Sequence, residues 1–490
     1  MPDLDQLTSW HSDWKQLRAV VFGLGVSGFS AADTLAELGA KTLVVAEKAE
    51  ADLLDILDVI GVPHITGEAA KGVPAEVVDF KPDVIIVSPG IRPQNELLVW
   101  AGSNDIKIWV DIDLAWRLRD KTSRLAHWFT VTGTNGKTTT VQLLTAMLNQ
   151  GGIKAEACGN IGKPILDAIR DPEGFDALVV ELSSFQLHYL GQIFPFSSAV
   201  LNLADDHLDW HGGFEQYKAA KAKVYENTVA ACVYNVMDKS TESMVEDADV
   251  VDGARAIGFT LGIPTRSQVG FVEDILCDRA FLDDRANNAL EIATLEDLSE
   301  IGVLTPHLMA NAAAATAMAR SAGVDPADIR EAIRNFRLDA HRIELVAEAG
   351  GIRWIDDSKA TNPHAADASL NSFDRVVWIV GGLLKGVDVS ALVEKHAAKL
   401  AAAIVIGKDR ELVLAALAAK APTVPVIEVF ADSGAAVMDE AVAVAGGLAT
   451  DGDVVLLAPA AASMDQFKDY VDRGNCFSVA VRTLVGGLNG

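Results

Sequence analysis

Residues 132–140, TGTNGKTTT, bring glycines, a lysine and hydroxyls together directly after the apolar run 125–131. The run reads as a buried strand, Gly133 and Gly136 break it, and Lys137 opens a helical segment that ends at Gly151 and Gly152. Glycines let backbone N–H groups approach an anion, and a helix N-terminus adds partial positive charge. Lys137 adds a full charge, and the Thr138 hydroxyl can reach a metal ion. The chemistry is nucleotide-phosphate binding over Gly133, Thr134, Asn135, Gly136, Lys137, Thr138 and Thr139. The spacing is shorter than G-x-x-x-x-G-K-[ST], so the stretch by itself also fits a purely structural turn or a regulatory nucleotide switch. Two more apolar runs end in reactive side chains, 175–180 at Glu181 and 198–203 just before His207. Ligands of open α/β sheets sit beyond the carboxyl ends of the strands, so Lys137 with Thr138, Glu181 and His207 are expected to converge. Tyr217 and Lys221 fall one turn apart on helical 214–225, where Lys221 alone reads as one of three solvated lysines with Lys218 and Lys223.

The elements that must hold these residues alternate between strand and helix. An apolar strand at 17–22 leads into GLGVSG, with Gly23, Gly25 and Gly28, then a helix to Gly39 and a strand at 42–45 that runs out at Glu47. This is the order of a dinucleotide-binding βαβ unit, which keeps an NAD-dependent oxidoreductase open as a reading. Strands at 83–87 and 106–110 complete the block, and 111–123 reads as a charged helical connector. The acidic stretch 238–298 reads as peripheral strands and loops, followed by helices at 306–322, which contains Asn311, and 326–336. A third block has strands at 352–355, 375–380, 402–406, 424–430 and 453–457, with DDSKATN, GGLLKG and APAAASMDQF in the loops after strands. A parallel sheet with helices on both faces is the simplest topology for it. The fold class is α/β in three domains, 1–110, 111–338 and 339–490, as expected for 490 residues. A net charge of −27 argues against nucleic-acid and anionic-membrane binding. The four cysteines lie far apart with no metal-site or disulfide spacing, and no run approaches the ~18 apolar residues of a membrane span. A soluble cytoplasmic protein is expected.

TGTNGKTTT, ELSSFQL, NLADDH, YKAAK, HR, DDSKATN and APAAAS, in this order over almost the whole chain, resemble the ATP-dependent Mur ligase family of peptidoglycan synthesis. Within it, ELSSFQL, DSKATN, GG-x-x-K and S-x-DQF resemble the branch that adds D-glutamate to UDP-N-acetylmuramoyl-L-alanine. No D-N-P-R-type motif of the diaminopimelate-adding branch stands in the third block. The resemblance implies an N-terminal Rossmann-like domain for the UDP-sugar, a central P-loop ATPase-type domain, and a C-terminal Rossmann-like domain that closes over the cleft. It implies an acyl phosphate, made with ATP and attacked by the amine of D-glutamate, with ADP and phosphate released.

The same resemblance implies Lys137, His207, Lys221 and Lys359 as catalytic residues, and Mg²⁺, two ions, on Thr138, Glu181, His207 and Lys221. Lys221 would carry a carbamate formed with CO₂. Asn311, Arg342 and Asp357 would join the phosphate loop around ATP, and Thr361, Lys385, Ser463 and Tyr470 would hold D-glutamate. Val26, Ser27, Gly28, Glu47, Lys48, Ser88 and Asn160 would hold the UDP-sugar. A monomer with small-molecule substrates, no nucleic acid and no membrane span is implied. The chain departs from the family pattern at Leu308, where Asn commonly follows the helix histidine, at Glu47, more often Asp, and at Tyr470, commonly Phe. Another amino-acid ligase of the family, including one for L-glutamate, is the alternative nearest to this reading.

Overall fold

The structure is a computed structural model that describes residues 3–338, 340–384, 386–431 and 434–488. These residues divide into two units, one running to Leu295 and taking in Ala310–Ile333, the other made of Glu296–Met309 and the chain from Arg334 onward.

The first unit holds two sheets. Strands β1 (Arg18–Phe22), β2 (Lys41–Ala46), β3 (His64–Thr66), β4 (Val84–Val87) and β5 (Lys107–Trp109) form a parallel sheet in the order 3-2-1-4-5. RAVVF, TLVVA and VIIV are almost continuously apolar because a parallel sheet is covered on both faces. The order reverses at β1, so the loops after β1 and β4 open a crevice between them.

The second sheet has nine strands: β6 (His127–Thr132), β7 (Ala155–Gly159), β8 (Ala177–Glu181), β9 (Ser197–Val200), β10 (Ala231–Asn235), β11 (Arg255–Phe259), β12 (Gln268–Val272), β13 (Ile275–Asp278) and β14 (Leu290–Thr294). Their order is 14-13-12-11-10-9-6-8-7, parallel except for the pairs β12–β13 and β13–β14. Here the order reverses at β6, whose neighbours β8 and β9 carry Glu181 and the loop to His207.

In the second unit, β15 (Glu344–Ala349), β16 (Ile352–Asp356), β17 (Val376–Gly381), β18 (Leu400–Ile406), β19 (Val426–Glu428) and β20 (Val454–Leu457) run in the order 15-16-20-17-18-19. The expected all-parallel sheet is corrected at its edge, where β15 pairs antiparallel with β16 through the turn at Gly350 and Gly351, both in the left-handed region. A second correction concerns 111–123. Asp111–Leu118 is a helix that buries Asp111, Ile112, Asp113, Leu114, Ala115 and Leu118, so it is part of the core rather than a solvated connector. Among the described residues no helix is long and apolar enough to cross a membrane.

Candidate active site

The phosphate-loop stretch forms the turn between β6 and the helix Lys137–Gln150. Gly133 and Gly136 both have positive φ, and a Cβ on Gly136 would stand 2.3 Å from Asn311 Oδ1, so only glycine fits there. Asn202, at the end of β9, clamps the loop by accepting from Asn135 N at 2.9 Å and donating to Asn135 O at 3.0 Å. Lys137 Nζ donates to Gly133 O at 2.8 Å and Thr134 O at 2.9 Å, which folds the ammonium over its own loop.

Glu181, at the end of β8, is 2% exposed and is held by two neutral donors, Thr138 Oγ1 at 2.9 Å and Asn160 Nδ2 at 2.9 Å. A buried carboxylate joined to a threonine hydroxyl is a hard-oxygen donor set, and it fits Mg²⁺. Asn160, expected on the UDP-sugar, is brought by the structure onto this carboxylate.

Lys221 and Tyr217 do share a face, and it points inward. Lys221 is 2% exposed, its Nζ donates to Gly133 O at 2.9 Å and Thr132 Oγ1 at 3.2 Å, and it lies 4.9 Å from the centre of the Tyr217 ring. Burial, then the nearby Lys137 charge, hold its pKa well below the usual lysine value, against the opposing pull of Asp206 and Glu181. Lys218 and Lys223 turn outward instead, to Ser243 Oγ and His188 O. The solvated reading of Lys221 is thereby overturned. The Tyr217 hydroxyl meets Thr134 Oγ1 at 2.9 Å, so the helix that carries Lys221 is fastened to the phosphate loop.

His207 sits in the left-handed region at φ 52° as the residue that opens the short helix Leu208–His211. Its ring is half-exposed, 3.6 Å from Asp206 Oδ2, and packs 4.6 Å from the Phe185 ring. Tyr217 and Asn202 tie the β9 side of the site to the phosphate loop, and Thr138 ties that loop to Glu181.

At the crevice of the first sheet, a cavity of about 510 Å³ is lined by the glycine loop with Val26 and Ser27, and by Lys48, Glu50 and Ser88. Ser88 Oγ is buried with no protein partner among the described residues, and a Cβ on Gly23 would lie 2.5 Å from it. A Cβ on Gly28 would stand 2.1 Å from Gly23 O, so the tight turn requires glycine. Ser27 gives its side chain to the buried Asp111. Glu47 lies exposed and does not line the cavity.

In the second unit, Asp357 is buried, with its carboxyl pushed up to about 6 by burial, which outweighs the Ser369 hydroxyl bond and the Arg342 charge. Lys359 Nζ lies 3.8 Å from the centre of the Tyr470 ring, a cation–π pair linking two expected site residues. Ser463 is buried, Thr361 is half-buried, and Lys385 lies outside the described residues.

Residues 131–319 match the family described as Mur ligase middle domain, and 341–461 the one described as Mur ligase, glutamate ligase domain. The UDP-N-acetylmuramoylalanine--D-glutamate ligase of Leifsonia xyli is 56% identical over 99% of this chain and 96% of its own. The chain belongs to the Mur ligase family. The protein of the same name from Tropheryma whipplei is 46% identical over 99% of both chains. The MurF ligase of Thermotoga maritima in complex with ADP shares the fold, with a TM-score of 0.55 at 18% identity over 99% of this chain and 100% of that one.

Mur ligases are ATP-dependent ligases, and the α/β architecture of this one is the family's. Sequence reasoning passed over two structural supports of this Mur ligase. Asn202 carried a signal, since it opens NLADDH two residues past the end of β9. Arg473 carried little: it is fully buried, and donates to Ser358 Oγ at 3.0 Å, Ser358 O at 2.8 Å and Ala461 O at 3.1 Å. It thereby holds DDSKATN against APAAAS from within the helix Tyr470–Leu488.

Proposed function

We propose that this Mur ligase joins D-glutamate to UDP-N-acetylmuramoyl-L-alanine at the expense of ATP, as a monomer, in the cytoplasmic stage of peptidoglycan precursor synthesis. The observation that carries this reading is the 56% identity over 99% of the chain to a relative named for that reaction. The site geometry supports the chemistry. A substrate carboxylate oxygen attacks the γ-phosphorus of ATP, the bond to ADP breaks, and an acyl phosphate forms. The amine of D-glutamate then attacks the acyl carbon, loses a proton, and phosphate departs with the former carboxylate oxygen.

In this reaction the protein mainly positions charge. Lys137 would exchange its two loop carbonyls for the triphosphate oxygens, with the N–H groups of Gly133 to Thr139 around them and Asn311 against Gly136. Thr138, Glu181, His207 and a carbamate on Lys221 would hold Mg²⁺, two ions in this reading, which when bound neutralises charge on the transferring phosphoryl group. Carbamate formation needs a neutral amine: Lys221 Nζ attacks the carbon of CO₂, an N–C bond forms, and the proton leaves to water. Burial between Thr132 and Gly133 O favours that neutral form.

Val26, Ser27, Gly28, Lys48 and Ser88 are assigned to the UDP-sugar, with Glu47 at the margin, and Asn160 acts through Glu181. Arg342, Asp357 and Lys359 are assigned to ATP, and Thr361, Lys385, Ser463 and Tyr470 to D-glutamate. Phosphate release from ATP and Mg²⁺ with UDP-N-acetylmuramoyl-L-alanine, across a panel of D- and L-amino acids, tests the reading. Turnover is expected with D-glutamate alone. Equal turnover with L-glutamate, or turnover without any acceptor, would overturn it.

A further inference from the structure

The loop after β4, Ser88-Pro89-Gly90-Ile91-Arg92, lies in the first sheet's crevice, and its outer side is fastened to the second sheet's elements. The Trp210 indole N–H donates to Gly90 O at 3.3 Å, and the Tyr189 hydroxyl donates to Ile91 O at 3.1 Å. Arg92 pairs with Asp209 as well, but both side chains are more than half exposed, so that pair contributes little. The two neutral bonds are the sheltered ones. Trp210 is 5% exposed and Tyr189 is partly buried.

Trp210 also belongs to the turn Leu208–His211, which begins at His207. Phe185 packs against the His207 ring at 4.6 Å and the Trp210 ring at 4.7 Å. His211 Nε2 meets Ser184 Oγ at 2.9 Å, which fixes the far end of the turn to the helix Ser184–Tyr189. Tyr189 closes that same helix, so both donors to the loop stand on one packed cluster of rings. His207 is held in the left-handed region, which a non-glycine residue keeps only when its surroundings fix it. Whatever orders His207 therefore orders the two donors, and whatever orders residues 88–92 acts back on His207.

We propose that Trp210 and Tyr189 are positioning residues that couple the nucleotide-sugar loop to the His207 metal-ligand turn, so that UDP-sugar and Mg²⁺ each strengthen the other's binding. The coupling rests on the assignment of Ser88 to the UDP-sugar and of His207 to Mg²⁺ made above. Linkage requires it to be reciprocal, and a coupling of this kind amounts to roughly five- to tenfold in affinity.

Calorimetric titration of the full chain with UDP-N-acetylmuramoyl-L-alanine, with and without saturating Mg²⁺, measures it directly. Trp210→Phe and Tyr189→Phe keep an aromatic ring at each position and remove one donor each. Mg²⁺ is expected to raise the wild-type affinity by that factor, and the two variants to bring it near onefold while their Mg²⁺-free affinities change less than about twofold. Hydrogen exchange of residues 88–92 on adding Mg²⁺ alone separates this from chelation of Mg²⁺ by the diphosphate itself: exchange should slow in the wild type and not in the variants. Binding without any coupling, or coupling retained in both variants, would overturn the proposal alone. Absence of nucleotide-sugar binding at every Mg²⁺ level would overturn the proposed function and the coupling with it.

Discussion

Lys221 is enclosed where its Nζ bonds a hydroxyl and a carbonyl, and burial with the neighbouring Lys137 charge outweighs the pull of Asp206 and Glu181 on its ammonium. The proposed carbamate at Nζ would resolve that, since it would turn a destabilised cation into an oxygen ligand. Lys221→Ala is expected to lose at least about 100-fold in turnover with its circular dichroism unchanged, and to recover part of the loss with an added short-chain carboxylate. Near-normal turnover in steady-state kinetics would contradict the role.

A second expectation at this scale concerns Asp113. Burial pushes its carboxyl from 3.8 up to about 6, although Val110 N and Gly191 N donate to it. Between those values the native state keeps a proton that the unfolded chain has lost, so this group's contribution to stability falls as pH rises from about 4 to about 6. Urea unfolding at about pH 4 and about pH 7 should show the wild type losing on the order of 2 kcal/mol more than Asp113→Asn across that interval. Equal losses would contradict it. Without the family resemblance, spacing and composition do not separate Lys221 from Lys218 and Lys223, and nothing in the sequence separates Asp113 from an ordinary surface acid. Their burial is set by which face of a helix meets the sheet, and that is decided by distant strands.

The central strands of each sheet were legible because apolar runs such as VIIV and VVWIVG are covered on both faces and end abruptly in polar loops. That regularity also made the convergence of strand ends legible, with β6 flanked by β8 and β9 at the reversal of the strand order. Edge elements were harder. β3 is three residues long with no fully buried position, β15 alternates exposed and half-buried residues, and β7 carries Glu156 and Cys158 ahead of a glycine turn. Such strands are specified by pairing with a neighbour rather than by their own pattern.

The helix Tyr470–Leu488 gives the element-scale prediction, because Arg473 joins it to two loops through three bonds. Burial brings the Arg473 pKa down to about 10, so it remains charged at neutral pH and depends on those bonds. Arg473→Met leaves Ser358 O and Ala461 O without this donor and should cost on the order of 3 kcal/mol in urea unfolding of the full chain. A change below about 0.5 kcal/mol would show that the arginine does not support these loops.

Over the whole molecule, three sheets each end their inner strands in a different polar set: glycine turn and Ser88, phosphate loop with Glu181, and DDSKATN with APAAAS. That division matches a reaction with three substrates, a nucleotide-sugar, ATP and an amino acid. Against a net charge of −27, the cations proposed for these anionic ligands are Lys48, Lys137, Arg342 and Lys359. The family was legible from motif order because TGTNGKTTT, NLADDH, DDSKATN and APAAAS follow strands, where chemistry rather than packing selects the residues. Which face of the Lys221 helix points inward, and that Asn160 supports Glu181, came only from the three-dimensional arrangement.

The central claim is that the terminal phosphoryl group of ATP passes to the substrate carboxylate before the amide forms. UDP-N-acetylmuramoyl-L-alanine labelled with ¹⁸O in its carboxylate, turned over with ATP, Mg²⁺ and D-glutamate, tests it by mass analysis of the released phosphate. The account predicts one ¹⁸O atom in each phosphate, and unlabelled phosphate formed alongside the amide product would contradict it.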